Sequence, residues 1–171
     1  MGRVLTGLDR LLASHLSRVR GLGIGLLCHQ ASVNADLDHA VDLIGSIRGA
    51  RVTRLFAPEH GLWGAAQDHA AITAARDPAT GLPVLSLYGR RRAPTAPMLQ
   101  GLDALVCDLQ DVGARYYTFV WTMALALEAC ARAGVRMIVL DRPNPLGGVR
   151  VEGNVLDPRF TSFVGLYPLP V

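Results

Sequence analysis

The chain contains no lysine, few aromatic residues and only three cysteines. All 17 basic residues among its 171 are arginines, the formal net charge is +3, and 6% of the residues are aromatic. The one basic cluster, Arg90–Arg92, has no aromatic side chain between its arginines that could stack on a base. The separated Cys28, Cys107 and Cys130 match neither a disulfide framework nor a zinc-ligand spacing. These absences predict no nucleic-acid partner, no disulfides and no structural zinc.

Long apolar runs are also absent. No segment is long enough to span a bilayer, so we expect no membrane partner. Residues 1–10 lack the apolar core of a signal peptide, and cysteines embedded in apolar runs suit a reducing compartment. The sequence as written therefore predicts a cytoplasmic location.

Short β-rich apolar runs alternate with segments of helical spacing. Half of the residues are hydrophobic, which suffices for one buried core. The runs predict five strands, at residues 22–27, 52–56, 84–87, 104–107 and 135–140, and the helical spacing predicts helices at residues 8–16, 41–47 and about 117–132. Strand, helix, strand in this order predicts an α/β fold with right-handed crossovers and a mainly parallel sheet.

Polar side chains follow every predicted strand. Because the carboxyl ends of parallel strands meet at one edge of a sheet, where open α/β folds bind ligands, we expect these side chains to form one site. The loops concerned are Cys28–Gln30, Glu59–Gly61, Tyr88–Gly89, Asp108–Asp111 and Asp141–Pro145.

Glu59 is the strongest candidate for a catalytic residue. It is one of only three glutamates, and Pro58 and Gly61 prevent a helix from following the second strand directly. An apolar wall such as Trp63 beside the carboxyl group would disfavour its ionised form, as suits a general acid. The alternative interpretation is a structural cap of the loop.

Metal, cofactor and nucleophile sites are less well supported. His60, Asp68 and His69 could join Glu59 as metal ligands, but their spacing matches no helical zinc motif, so substrate binding or loop bracing is favoured. The glycines of residues 21–25 enter the first strand, whereas a dinucleotide fingerprint leaves it. No Ser or Cys stands on a nucleophile elbow. The sequence predicts no metal and no cofactor.

The loop after the fourth strand combines groups that suit a sugar site. Asp108, Gln110 and Asp111 are followed by Arg115 and Tyr116, which together offer acids, a fixed cation and a phenol. Sugar hydroxyl groups need hydrogen-bond partners and ring faces need apolar platforms. An ion pair of either aspartate with Arg115 that only braces the loop is an equally valid interpretation.

The loop after the fifth strand is stiffened by two prolines. Asn144 stands between them and can both donate and accept hydrogen bonds. The alternative interpretation is a strand terminator held by an ion pair between Asp141 and Arg142.

Several longer motifs carry a resemblance to a known family. In chain order they are FAPEHGLWGAAQDHA, GLPVLSLYG, LVCDLQDVGARYYTFVWTM, VLDRPNPLGG and VEGNVLDPRFTSFVGLYPLPV. Across residues 7–171 the sequence resembles the NamZ family of exo-β-N-acetylmuramidases. The resemblance implies a glycoside hydrolase that removes terminal β-1,4-linked N-acetylmuramic acid from the non-reducing end of peptidoglycan fragments. It also implies a Rossmann-like three-layer domain followed by a smaller carboxy-terminal domain, with the active site between them.

The same resemblance assigns the family's catalytic glutamate to Glu59. Asp108, Asp111 or Glu152 is then the second acid, or the 2-acetamido oxygen of the substrate acts as nucleophile while one of these acids orients it. The resemblance and the loop pattern together give the substrate-binding candidates His29, Gln30, His60, Gly61, His69, Gln110, Arg115, Tyr116, Asp141 and Asn144.

Two further expectations concern the extent of the chain. We expect residues 1–150 to form the Rossmann-like catalytic domain and residues 151–171 to begin the connection to a missing carboxy-terminal domain, which the chain would contact. The absence of a leader suggests action on recycled fragments inside the cell. A non-catalytic muropeptide-binding module and metal-assisted hydrolysis are the competing hypotheses.

Overall fold

The computed structural model describes residues 4–64 and 75–170 and forms one six-stranded sheet from them. The strands lie in the order β3-β4-β2-β1-β5-β6. Five of them pair in parallel, and only β3 at the edge is antiparallel to its neighbour. Their bounds are Gly23–Cys28 for β1, Arg51–Ala57 for β2, Ala75–Arg76 for β3, Pro83–Ser86 for β4, Ala104–Asp108 for β5 and Arg136–Val139 for β6.

The described residues contain four α-helices, of which α1 precedes β1 and the other three connect strands. They are α1 at Gly7–Ser14, α2 at Ala40–Gly45, α3 at Ala96–Leu99 and α4 at Thr118–Ala133, and short 3₁₀ helices lie at Leu16–Arg18 and Pro158–Phe160. Thr6 begins α1 with a capping box shared with Asp9. Gly134 ends α4 in the left-handed conformation that glycine adopts without strain.

The sheet separates two hydrophobic clusters, so the described residues form three layers. Alternate residues of β1 point to opposite faces. Ile24 and Leu26 join the cluster that includes residues of α1 and α2, whereas Leu27 joins the cluster that includes α4. Because β1 is covered on both faces, all six of its residues are buried. The predicted α/β sandwich with a mainly parallel sheet is confirmed.

The predicted strands are all present, with ends displaced by no more than one residue. The three predicted helices correspond to α1, α2 and α4. The sequence pattern does not predict β3, α3 or the two 3₁₀ helices, since each is too short to produce a periodic pattern. Among the described residues, no helix is long and apolar enough to cross a membrane.

The carboxy-terminal segment, residues 151–170, packs beside α4 and the loop after β4. Arg115 donates hydrogen bonds to the carbonyl oxygens of Asn154 and Leu169, at 2.7 and 2.8 Å. The phenol of Tyr167 donates to Glu128 on α4. The Arg92 guanidinium lies 4.3 Å from the centre of the Phe163 ring. The segment is therefore attached to the loop before α4, to α4 itself and to the loop after β4.

Gly25 in β1 is required by close packing. A Cβ atom at this position would lie 2.8 Å from both Leu102 Cδ1 and Phe56 Cε2, all in the interior. We expect Gly25→Ala to lower the free energy of unfolding by about 1–3 kcal/mol through overpacking, measured by urea denaturation. Gly45→Ala is the matched control, since nothing lies within 4 Å of that Cβ. Equal stability of the two variants would contradict this packing.

Candidate active site

The candidate site lies at the carboxyl edge of the sheet, where β1 and β5 are neighbours. β2 lies on one side of β1, and β5 and β6 lie on the other. The chain leaves β1 toward β2 and leaves β5 toward β6, so the loops after β1 and β5 diverge. His29 and Gln110 bridge this divergence: the backbone N–H of Gln110 donates to His29 Nε2 at 3.2 Å. Two of the predicted site residues therefore meet at the switch point of the sheet.

Glu59 lies two residues beyond β2 in a sharply turned loop. His60 and Gly61 both have positive φ, at 66° and 80°. This conformation is uncommon for a residue with a side chain and is often found at functional sites. The N–H of Gly61 closes the turn on the carbonyl of Pro58 at 3.1 Å. The turn directs the chain away from the sheet directly after Glu59.

The Glu59 carboxyl group is held by the first residue of α4. Thr118 Oγ1 donates a hydrogen bond of 2.7 Å to Glu59 Oε2. Among the described residues no hydrogen bond reaches Oε1, so one carboxyl oxygen is fixed by the protein and the other can meet a ligand. The positive end of the α4 dipole also lies on this side of Glu59.

Tyr117 connects Glu59 electrostatically with Asp111. Burial raises the pKa of the Tyr117 phenol, and the negative charges of Asp111 and Glu59 raise it further. Both carboxyl groups therefore lie within electrostatic reach of one phenol. Asp111 Oδ1 is buried and accepts no hydrogen bond from the described residues.

Asp108 is buried in an ion pair. Its carboxylate, 0% exposed, accepts two hydrogen bonds from Arg142, Nε to Oδ1 at 2.5 Å and Nη2 to Oδ2 at 2.9 Å. Burial raises the pKa of Asp108, while the hydrogen bonds and charge of Arg142 oppose that rise. The sequence left open an ion pair of Asp108 with Arg115, and one of Asp141 with Arg142. Both are wrong, because Arg142 reaches back to β5 and binds Asp108.

Asn144 packs directly over the backbone of Gly113. A Cβ atom at Gly113 would lie 2.4 Å from Asn144 Nδ2, and the positive φ of 71° independently favours glycine there. The side-chain amide of Gln110 donates to the carbonyls of Asp111 and Pro143, at 2.6 and 3.0 Å. The loops after β5 and β6 are therefore tied together beside the switch point.

The remaining predicted residues are arranged around this centre. Arg115 uses its guanidinium on the carboxy-terminal segment, and Tyr116 is 71% exposed. Glu152 and Asp141 are exposed, and Gln30 covers Gly64 with its side-chain amide. His69, together with Asp68 of the metal hypothesis, lies outside the described residues.

Trp63 has partners other than the one that the sequence suggested. Its indole N–H lies 3.3 Å from Asp77 Oδ1, and its ring lies 4.7 Å from that of His39. Burial disfavours the charge on Asp77, yet hydrogen bonds from Thr80 and Trp63 lower the pKa of this carboxyl below its usual value. The indole thus braces the start of α2 and the turn after β3.

Thr118 and Tyr117 are site residues that the sequence did not indicate as candidates. Both fall within the segment predicted as a helix at about residues 117–132. That pattern places them at a helix start after a polar loop, but it does not indicate which acid they meet. No cluster of three or more His, Cys, Asp or Glu side chains suited to a metal occurs in the described ranges.

His29 gives a pH-dependent test of the switch point. It is 3% exposed, and burial, followed by the charges of Arg142 and His39, lowers its pKa to about 4. Between pH 6.5 and 4 the unfolded chain binds a proton that the folded chain rejects. This group therefore lowers stability as the pH falls, by about 3 kcal/mol at the end of that window.

We expect His29→Gln to remove this part of the acid destabilisation. The measurement is the free energy of unfolding of each protein at pH 7 and at pH 4.5. The exposed His15→Gln is the matched control and should lose stability as the wild type does. The same loss in the His29 variant as in the wild type would show that His29 is not held neutral.

Comparisons with known proteins agree with this architecture. A family model described as "Exo-beta-N-acetylmuramidase NamZ, N-terminal" matches residues 24–171. The chain is 46% identical, over 169 residues, to a Bacillus subtilis (strain 168) protein named "Peptidoglycan beta-N-acetylmuramidase NamZ". That match covers 99% of this chain and 41% of the relative, so the chain spans less than half the relative's length.

Two crystal structures of DUF1343 family proteins from Bacteroides fragilis NCTC 9343 are also similar. One is 38% identical with a TM-score of 0.89, and the other is 29% identical with a TM-score of 0.82. Each comparison covers 99% of this chain and 43% of the solved chain. Because the family model spans most of the chain and the fold is shared throughout, the chain belongs to the NamZ family of exo-β-N-acetylmuramidases and corresponds to its amino-terminal part.

Proposed function

We propose that the chain provides the catalytic acid of a glycoside hydrolase acting on peptidoglycan fragments. The reaction releases terminal β-1,4-linked N-acetylmuramic acid from the non-reducing end, and Glu59 protonates the departing glycosidic oxygen. The observation that carries the proposal is the hydrogen bond from Thr118 to Glu59 Oε2, which leaves Oε1 available at the ligand-binding edge of the sheet. The name of the Bacillus subtilis relative supports the substrate class.

The surroundings of Glu59 suit this role. The carboxyl group is only partly buried, so a sugar can reach it, while the turn at His60 and the start of α4 limit its movement. A proton donor of this kind contributes most when its position is fixed before the substrate binds.

The three candidates for the second acid differ in their surroundings. Asp108 is fully engaged by Arg142, and a carboxylate in that state is a poor nucleophile or base. Glu152 is exposed on the carboxy-terminal segment, and Asp111 keeps one oxygen without a donor. We favour Asp111 as the second acid, because it lies within electrostatic reach of the same phenol, Tyr117, as Glu59.

A binding module without catalysis is the second candidate function. It is favoured by one observation, that Asp108, one of the three candidates for the second acid, is fully engaged by Arg142. Family members are expected to complete their cleft with a second domain. The exposed apolar side chains at Val151, Val155 and Phe160 are where we expect this chain to contact such a domain. The cytoplasmic location and the domain boundary between residues 150 and 151 remain predictions.

Replacing Glu59 tests the catalytic proposal. We expect Glu59→Gln to lower the hydrolysis rate of a chromogenic β-N-acetylmuramic acid glycoside by about 10²–10⁴-fold, because the amide cannot donate the proton. Glu128→Gln, an exposed glutamate on α4, is the matched control. Unchanged turnover in the Glu59 variant, with its fold intact by circular dichroism, would refute the assignment.

The same assay separates the alternatives. It is run on the chain and on a version extended past Val171 as in the longer relatives. Release only by the extended version would mean that the site needs residues from beyond this chain. Binding without product in wild type and variant would support the binding module, and loss of activity on chelation would support a metal.

Thr118 provides a second, independent test. We expect Thr118→Val to lower kcat by about tenfold, because the carboxyl group loses the hydrogen bond that fixes its orientation. Thr118→Ser should restore most of the rate. Thr122→Val is the matched control one turn later, where the hydroxyl bonds only to the carbonyl of Thr118. Equal rates in the two valine variants would show that the contact with Glu59 has no catalytic role.

A further inference from the structure

The loop that carries Glu59, residues 58–64, is held at both of its ends. Near its start, Thr118 on α4 donates to the Glu59 carboxyl group. Near its end, the buried Leu62 joins the hydrophobic cluster shared with α1 and α2. Trp63 follows directly and is 47% exposed, so burial alone does not fix its indole. The directional contacts of that indole therefore decide where the end of the loop lies.

Asp77, which accepts the indole N–H, is itself rigidly held. It is 2% exposed, and its Oδ2 accepts from the backbone N–H and the hydroxyl of Thr80, at 2.9 and 2.6 Å. Its backbone bonds to Leu82 and Gly81. Burial raises the pKa of this carboxyl group, but the hydrogen bonds from Thr80 and Trp63 lower it below its usual value. Asp77 is therefore an ionised acceptor whose Oδ1 receives Trp63 Nε1 at 3.3 Å.

His39 fixes the face of the same indole. The two ring centres are 4.7 Å apart, and His39 is buried. The backbone N–H of Val41 donates to His39 Nδ1 at 3.3 Å, so the proton lies on Nε2, which donates to the carbonyl of His29 at 2.9 Å. Both ring nitrogens of His39 are thus engaged. The indole is held at its edge by Asp77 and on its face by a histidine ring that cannot turn freely.

The turn between the two anchored ends needs this support. His60 has a positive φ of 66°, a conformation that a residue with a side chain keeps only when its surroundings hold it there. The hydrogen bond from Thr118 reaches one oxygen of Glu59, and a single bond of this kind leaves the carboxyl group free to turn about it. A second fixed point beyond the turn is therefore needed to set the direction of the Glu59 side chain.

From these contacts we infer that Asp77 is a positioning residue for the proposed reaction. Through the indole of Trp63 it fixes the end of the Glu59 loop, and the loop then holds the carboxyl group of Glu59 in the direction of the glycosidic oxygen. Asp77 itself touches no part of the sugar. The inference rests on the proposed function and adds to it a residue that follows β3, on the far side of the loop from α4.

Replacing Trp63 and Asp77 tests the inference. Trp63→Phe keeps a ring against His39 but removes the indole N–H. We expect it to lower kcat on the chromogenic β-N-acetylmuramic acid glycoside by about tenfold and to change KM by less than about twofold, because only the orientation of the acid is lost. Asp77→Ala should have the same effect, and the double variant should lose no more than either single variant. Asp77→Asn should restore part of the rate, because its side-chain oxygen can still accept.

Two controls distinguish positioning of Glu59 from a general loosening of the fold. Thr80→Val removes the hydroxyl bond to Asp77 Oδ2 and leaves Oδ1 for the indole, so it should lower stability without lowering kcat. An equal loss of kcat in Thr80→Val and Trp63→Phe would overturn the inference. In the Glu59→Gln background, Trp63→Phe should lower the residual rate no further. A further tenfold loss there would show that Trp63 does not act through Glu59, which would also overturn it.

A measurement on the chain itself needs no activity. We expect Asp77→Ala to shift the ¹³C signal of the Glu59 carboxyl group and the methyl signal of Thr118 in NMR spectra, whereas Thr80→Val should shift neither. Unchanged signals in Asp77→Ala would overturn the inference and leave the proposed function standing, since Glu59→Gln tests that function separately. Failure of the wild type and its extended version to hydrolyse any N-acetylmuramic acid glycoside would overturn both.

Discussion

The buried ion pair between Asp108 and Arg142 organises the edge of the sheet on which the site is built. Arg142 comes from the loop after β6, bonds both oxygens of Asp108 at the end of β5, and donates to the carbonyl of Val33 after β1. The loops after three strands are thereby joined through one guanidinium. Removing either partner of such a pair leaves a buried charge, at a cost of about 3–5 kcal/mol.

The ion pair occupies Asp108, so Glu59 and Asp111 are the acids of the site that remain. Because Asp108 is committed to Arg142, we propose Glu59 and Asp111 as the acids of the reaction. They follow β2 and precede α4, respectively. At the start of α4, Thr118 donates a hydrogen bond to Glu59, and the Tyr117 phenol lies within electrostatic reach of both acids. The start of α4 therefore holds the Glu59 carboxyl group through Thr118. Its residues Val120 and Trp121 form one wall of a neighbouring cavity.

The sequence predicted the fold better than the partners within the site. All five parallel strands were predictable, because each contains a short apolar run that ends in a polar loop. In β1 and β5 the run is continuous, since these strands are buried along their whole length. Glu59, His29 and Gln110 were expected at one edge for the same reason. The choice of Arg142 over Arg115 as the partner of Asp108 could not be read, since both arginines follow strand ends. It depends on how far each loop turns back, which only the packed structure defines.

Thr118 and the cavity at the start of α4 were beyond prediction for a related reason. A threonine inside a helical pattern gives no sign of the side chain across the sheet edge that it will meet. The cavity combines Asp111 with Leu169, 58 positions later in the chain. Contacts of this range depend on the path of the carboxy-terminal segment, which has little periodic structure. The family resemblance suggests Glu59 as the acid, whereas the structure shows the neighbours of Glu59.

The most direct test is a crystal structure of the Glu59→Gln protein, extended as in its relatives, with a disaccharide bearing N-acetylmuramic acid at the non-reducing end. The account predicts the glycosidic oxygen within ~3 Å of the residue 59 side chain. A sugar bound at this edge with its glycosidic oxygen remote from residue 59, or bound at another surface, would contradict the assignment of Glu59 as the acid.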